Sequence, residues 1–164
     1  TCDAFGVLPV VSKLTEEQTL YHFINGYTSK IAGTEDGVKE PTATFSACYG
    51  EAFIVWHPMK YAELLREKIK KHNVNCWLVN TGWVGGKYGI GKRCDISVTR
   101  EIINSIHDGS LINERYDNFQ LFNMAIPTKY GNPRDLWDNK NEYDTTLNTL
   151  HTLFKLNYNK YDSL

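Results

Sequence analysis

Five glycines, Gly82, Gly85, Gly86, Gly89 and Gly91, fall within ten positions of this chain. Neither a helix nor a strand runs through such a stretch cheaply, because each glycine in an element interior costs up to ~1 kcal/mol relative to alanine. The segment is a loop, and its flanks say what it joins. Upstream, residues 76–79 (Cys-Trp-Leu-Val) are a short apolar run; downstream, a helical pattern ends at Gly109. A strand, a glycine-rich loop and a helix start can bring backbone N–H groups up to a phosphate or a ring. The alternative is a surface loop that uses its glycines only to turn. Spacing does not separate the two.

Two familiar motifs nearly fit and both fail. Residues 86–93 read G-x-x-x-x-G-K-R, one residue short of a P-loop, whose last position needs a Ser or Thr hydroxyl for magnesium. Arg93 cannot serve there, since a guanidinium only donates hydrogen bonds and stays positive. Gly89-Ile90-Gly91 lacks the third glycine of a dinucleotide fingerprint, which would fall at Cys94.

Around this loop, periodicity predicts alternating elements. Residues 1–9 read as a strand already in progress, without an initiator methionine, as in a piece of a longer polypeptide. Thr15 and Gln18 form a capping box, and Leu20, Phe23, Ile24, Tyr27 and Ile31 continue one apolar helical face to Gly33. Residues 33–41 carry two glycines, a proline and four charges; this is a plain connector or a lid that closes over a site. Residues 42–49 and 52–56 read as strands broken by Gly50, with Pro58 opening a helix to Lys71 and His57 as its cap. Thr99 is placed to cap the helix of Ile102, Ile103 and Ile106. One strand spans residues 119–126, residues 128–141 are loop, and the last helix carries Leu147, Leu150, Phe154, Tyr158 and Tyr161. This alternation predicts an α/β fold in which one mixed sheet is flanked by helices.

The 164 residues suit a single unit, and a net charge of −1 with scattered basic residues points to neither a nucleic acid nor an anionic membrane. No apolar run approaches the ~20 residues of a membrane-spanning helix. Cys2, Cys48, Cys76 and Cys94 are far apart, which fits reduced thiols in a cytosolic protein better than zinc ligands. No G-x-S-x-G, H-E-x-x-H or close aspartate pair occurs, and the five histidines are isolated. Asp3, between small and apolar neighbours, is the acid of most interest, with a structural role in tying down a loop as the simpler reading.

Longer strings carry a resemblance. Residues 1–9 (Thr-Cys-Asp-Ala-Phe-Gly-Val-Leu-Pro), Tyr21-His22-Phe23, Ala32-Gly33-Thr34-Glu35, Glu40-Pro41-Thr42, Thr44-Phe45-Ser46-Ala47-Cys48, Asn80-Thr81-Gly82-Trp83, Gly91-Lys92-Arg93, Thr99-Arg100 and residues 122–127 (Phe-Asn-Met-Ala-Ile-Pro) follow one another as in the ATP-dependent phosphoenolpyruvate carboxykinases. The chain resembles the C-terminal portion of that family's nucleotide-binding domain, with residues 1–164 as its distal part. The resemblance implies a cytoplasmic, gluconeogenic lyase that turns oxaloacetate and ATP into phosphoenolpyruvate, ADP and CO2, with Mg2+ on the nucleotide and Mn2+ at the substrate. It implies that the P-loop and metal ligands lie outside this chain, which alone would be inactive. It places adenine contacts at Arg93, Cys94 and Thr99, and the lid at Gly33, Thr34 and Glu35. A non-catalytic nucleotide-binding module is the alternative.

Overall fold

The computed structural model describes residues 1–30 and 37–161. In chain order the first elements are β1 (Val11–Leu14), α1 (Glu16–Asn25), β2 (Tyr27–Lys30), β3 (Thr42–Phe45), α2 (Pro58–His72) and β4 (Cys76–Val79). The rest are β5 (Trp83–Val84), β6 (Lys92–Arg93), α3 (Ile96–His107), β7 (Tyr116–Phe119), β8 (Met124–Pro127) and α4 (Lys140–Tyr158). The central sheet has four strands in the order β4-β1-β8-β7. The α/β reading holds, but every strand pairing among the described residues is antiparallel rather than mixed. Two ribbons, β2–β3 and β5–β6, stand apart from the main sheet.

Side-chain alternation assigns the two faces of the sheet. In β1, Leu14 faces a core of Leu78, Phe119, Met124, Ile126, Leu147, Leu150 and Phe154, which α4 covers. Val11 points the other way, to Trp77, Val79, Ile102 and Leu111 beneath α3. A third cluster, Leu20, Ile24 and Ala62, joins α1 to α2.

Several predicted boundaries moved, each for a local reason. The capping box of α1 is present, but the helix stops at Asn25 because Gly26 turns left-handed (φ 53°) and bonds back to His22. Tyr27 therefore reaches the core from β2, and Ile31 lies outside the described residues. Residues 1–9 are not a strand; side-chain hydrogen bonds bend them into the core. The run at 52–56 is an exposed turn, with Phe53 89% exposed. The single strand expected at 119–126 is a hairpin whose turn places Leu121 (φ 64°) and Asn123 (φ 52°) in the left-handed region. The loop expected at 128–141 holds two short 3-10 turns, and α4 begins at Lys140. His57 does cap α2, its Nδ1 accepting from Met59 N at 3.3 Å.

The bend at the start of the chain is organised by Asp3. Its fully buried carboxylate accepts from Val7 N (2.7 Å), Leu8 N (2.8 Å), Phe5 N (3.0 Å) and the Tyr27 hydroxyl (2.8 Å). Burial pushes its pKa up, against the opposing pull of those donors. Asp3→Asn would aim an amide N–H2 at donors that need an acceptor. It is expected to cost at least about 3 kcal/mol in urea unfolding, and Tyr27→Phe about 1–3 kcal/mol.

His22 sits in the main core, 4% exposed, between Phe154 (ring centroids 5.3 Å) and Phe122 (5.8 Å). Burial pushes its pKa down to about 4, so the imidazole is neutral at pH 7. Below its ordinary value of 6.5, the unfolded chain takes up a proton that the folded one refuses. Stability from the neutral ring is therefore whole above pH 6.5 and lost as pH falls through about 4. His22→Phe is expected to remove on the order of 3 kcal/mol of that acid sensitivity, read as unfolding free energies across this range.

Candidate functional site

The glycine loop is the tip of a β-ribbon. β5 and β6 pair antiparallel, Trp83 opposite Arg93 and Val84 opposite Lys92. The loop closes on itself, since Ile90 N and Gly91 N both donate to Lys87 O at 3.1 and 2.8 Å. Those two N–H groups are spent inside the turn, so they cradle no phosphate. Gly82 and Gly91 answer instead to close backbone contacts. A Cβ on Gly82 would stand 2.2 Å from Asp3 N and 2.3 Å from Asp3 O, and one on Gly91 would stand 2.0 Å from Gly86 O.

Beyond the ribbon, the chain turns into α3 and gathers three of the expected residues. Arg93 is exposed; its Nε donates to Thr81 O at 3.0 Å and its guanidinium carbon lies 5.2 Å from the Trp83 ring centroid. Cys94 N donates to Gly82 O at 2.7 Å, holding the junction against the core strand's extension. Thr99, one turn into α3, brings its Oγ1 to 3.9 Å from the Cys94 Sγ. The capping role expected of Thr99 is corrected. Asp95 caps α3, its Oδ1 accepting from Ser97 N at 2.7 Å and Ser97 Oγ at 2.6 Å. The Ser97 hydroxyl and N–H hold the Asp95 carboxyl below the usual range. Thr99 keeps only a 3.4 Å bond to Asp95 O, a helix-interior serine/threonine habit.

A hollow of about 290 Å3 lies beside the ribbon, lined by Val84, Gly85, Ile90, Gly91, Lys92 and Leu136. It does not include Arg93, which is exposed, or Cys94 and Thr99, which are partly buried. Gly33, Thr34 and Glu35, where a lid is expected, fall outside the described residues. The ends of their loop are fixed, because β2 and β3 pair as far as Lys30 opposite Thr42. Among the described residues, no three His, Cys, Asp or Glu side chains come together as a metal-binding group, and all four cysteines are free. No described helix is long and apolar enough to cross a membrane.

The family model for phosphoenolpyruvate carboxykinase matches residues 1–134. The chain belongs to the ATP-dependent phosphoenolpyruvate carboxykinase family. It is 52% identical to the phosphoenolpyruvate carboxykinase (ATP) of Pelobacter propionicus, over 98% of this chain and 32% of that protein. Carboxykinase 2 (ATP) of Urochloa panicoides is 53% identical over 99% of the chain, and that of Neurospora crassa 49% over 99%. The chain thus spans about a third of the length of the curated relatives it matches.

Two carboxykinase residues at this junction went unread in the sequence. Trp83, 6% exposed, is the platform under Arg93, and Asp95 is the helix cap. The second was signalled by Asp95-Ile96-Ser97, an acid two residues before a hydroxyl at a helix start. The first was not, since nothing local to Trp83 reveals which partner lies across the ribbon. Gly82→Ala is expected to lose at least about 3 kcal/mol of stability through its collision with the Asp3 backbone. Gly89→Ala, whose Cβ meets nothing within 4 Å, carries only the left-handed penalty of about 1–2 kcal/mol. Thermal unfolding of the pair separates the two causes.

Proposed function

We propose that this chain is the distal part of the nucleotide-binding domain of an ATP-dependent carboxykinase, and that it supplies the adenine-side wall of the ATP site. The whole enzyme would decarboxylate oxaloacetate and phosphorylate the enolate, giving phosphoenolpyruvate, ADP and CO2, in a cytoplasmic, gluconeogenic setting. The observation that supports this reading is the meeting of Cys94 and Thr99 at the β6–α3 junction, one residue on from an Arg93 held over Trp83, in a chain about half identical along its length to enzymes of that name.

The side chains suit a purine. The Arg93 guanidinium is planar, exposed and steadied by Trp83 and Thr81, so it can stack on the base. Cys94 offers a small soft side chain beside the ring. The Thr99 hydroxyl is held only by long contacts and can turn to a ring nitrogen. The Mg2+ and Mn2+ that the family resemblance implies find no ligand set among the described residues. In this reading their ligands and the P-loop belong to the rest of the enzyme, and no step is assigned to a metal here. Gly33, Thr34 and Glu35 act as the lid, which excludes water when closed. In the whole enzyme, Arg93→Ala is expected to raise the KM for ATP about tenfold, from losing a cation–π stack worth ~1–2 kcal/mol. The KM for oxaloacetate should stay within about twofold, because only adenine binding is lost. An unchanged KM for ATP would remove Arg93 from the adenine site.

A further inference from the structure

We propose that the hollow between α1, α4 and the β7–β8 turn binds a small aromatic amino acid whose ring carries a hydrogen-bond donor, as tyrosine and tryptophan do. The hollow has a volume of about 470 Å3, within the range of small-molecule sites. It shares no residue with the Arg93 junction, and the inference is independent of the adenine reading. Tyr21, Phe122 and Tyr158 give it aromatic walls.

His22 carries the argument. It is 4% exposed and lines the hollow, and among the described residues no hydrogen bond reaches its imidazole. Among the described residues Ser12 Oγ is the one fully buried side-chain polar atom left unpaired, so the imidazole nitrogens keep some access, through the hollow that they line. The ring stays in place through Phe122 and Phe154, so its free nitrogens are held for a partner that enters the hollow. A neutral imidazole offers one acceptor and one donor. A phenol or indole N–H, delivered between aromatic walls, supplies the missing hydrogen bond and buries a flat ring at once.

The rim selects the rest of the ligand. Glu17 lines the hollow from α1 and Lys155 from α4. These opposite charges suit an α-ammonium and an α-carboxylate, and they disfavour a multiply charged anion. His151 also lines the hollow, edge-on to Phe122 at 5.2 Å, and burial lowers its pKa, with Lys155 adding to the effect.

The test is an equilibrium titration of the full polypeptide that carries this chain with L-tyrosine, L-tryptophan and L-phenylalanine, followed by ligand-observed NMR and calorimetry. Tyrosine or tryptophan should saturate one site, with phenylalanine at least about fivefold weaker for want of the ring donor. His22→Phe should erase that preference. Lys155→Met, an exposed change that leaves the core intact, should weaken every one of these ligands about fivefold through loss of the carboxylate's partner. Three results would overturn the site: no saturable binding of any of them, a preference that survives His22→Phe, or affinities that Lys155→Met leaves unchanged.

Discussion

The structure depends on how one buried carboxylate is satisfied. An ionised aspartate is acceptor-only, with room for about four donors, and Asp3 receives four, three from its own chain within five residues and one from Tyr27. A charge buried with fewer partners would cost several kcal/mol, so the donors and the acid must be in place together. Curling around Asp3 carries Val7 and Leu8 into the main core. The same curl turns two carbonyls toward the approach to α4 and its first turn, where Trp137 Nε1, before the helix, donates to Gly6 O at 2.8 Å and the Tyr143 hydroxyl, within it, to Val7 O at 3.0 Å. Both aromatics bury an apolar body while their polar ends are paired. The opening segment thus replaces a strand as the seam between the sheet and the last helix.

Asn80 extends this network toward the surface. Its Oδ1 accepts from Asp3 N (2.9 Å) and Gly82 N (2.8 Å), and its Nδ2 donates to Leu8 O at 3.3 Å. Trp83 N then donates to Asp3 O at 2.9 Å, and Cys94 N to Gly82 O at 2.7 Å. Two backbone steps therefore connect the buried acid to the ribbon that presents Arg93. The glycine at 82 is what allows the approach, since any side chain there would occupy the space of the Asp3 backbone. In this arrangement the position of an exposed guanidinium is set by a polar cluster in the interior.

Local chemistry was legible in the sequence where its causes were local. The α1 capping box, the proline start of α2, the β4 run and the amphipathic face of α4 are all written within one or two turns of chain. Periodicity overran α1 because Tyr27 is buried on schedule, though from a strand; the stop lies in the left-handed turn at Gly26, one glycine among many in the sequence. The β7–β8 hairpin was hidden because its positive-φ positions are filled by Leu121 and Asn123 rather than by glycine. The structural role of Asp3 could be read from its neighbours, but Tyr27 as its partner lies 24 residues away. At the site, Arg93, Cys94 and Thr99 came from ordered strings shared with a family, whereas the Trp83 platform is a cross-ribbon contact that only a register reveals.

The polar groups of this chain divide by how fully they are engaged. Asp3 and Asn80 are buried, and each of their side-chain polar atoms has a partner; moving either would strand donors or acceptors in the core, so they hold architecture. Thr99 is partly buried and Arg93 exposed, with long or single hydrogen-bond contacts: 3.4 and 3.9 Å for the hydroxyl, and Nε alone for the guanidinium among the described residues. Giving up such contacts costs little, which is what a group must be able to do if it is to meet a ligand. The cap at Asp95 makes this possible, because it relieves Thr99 of the helix start that would otherwise hold its hydroxyl. His22 stands across the division, buried as the first pair is and unengaged as the second. Its nitrogens keep only the access that the hollow gives, so a partner entering there competes with less water than one meeting an open surface side chain.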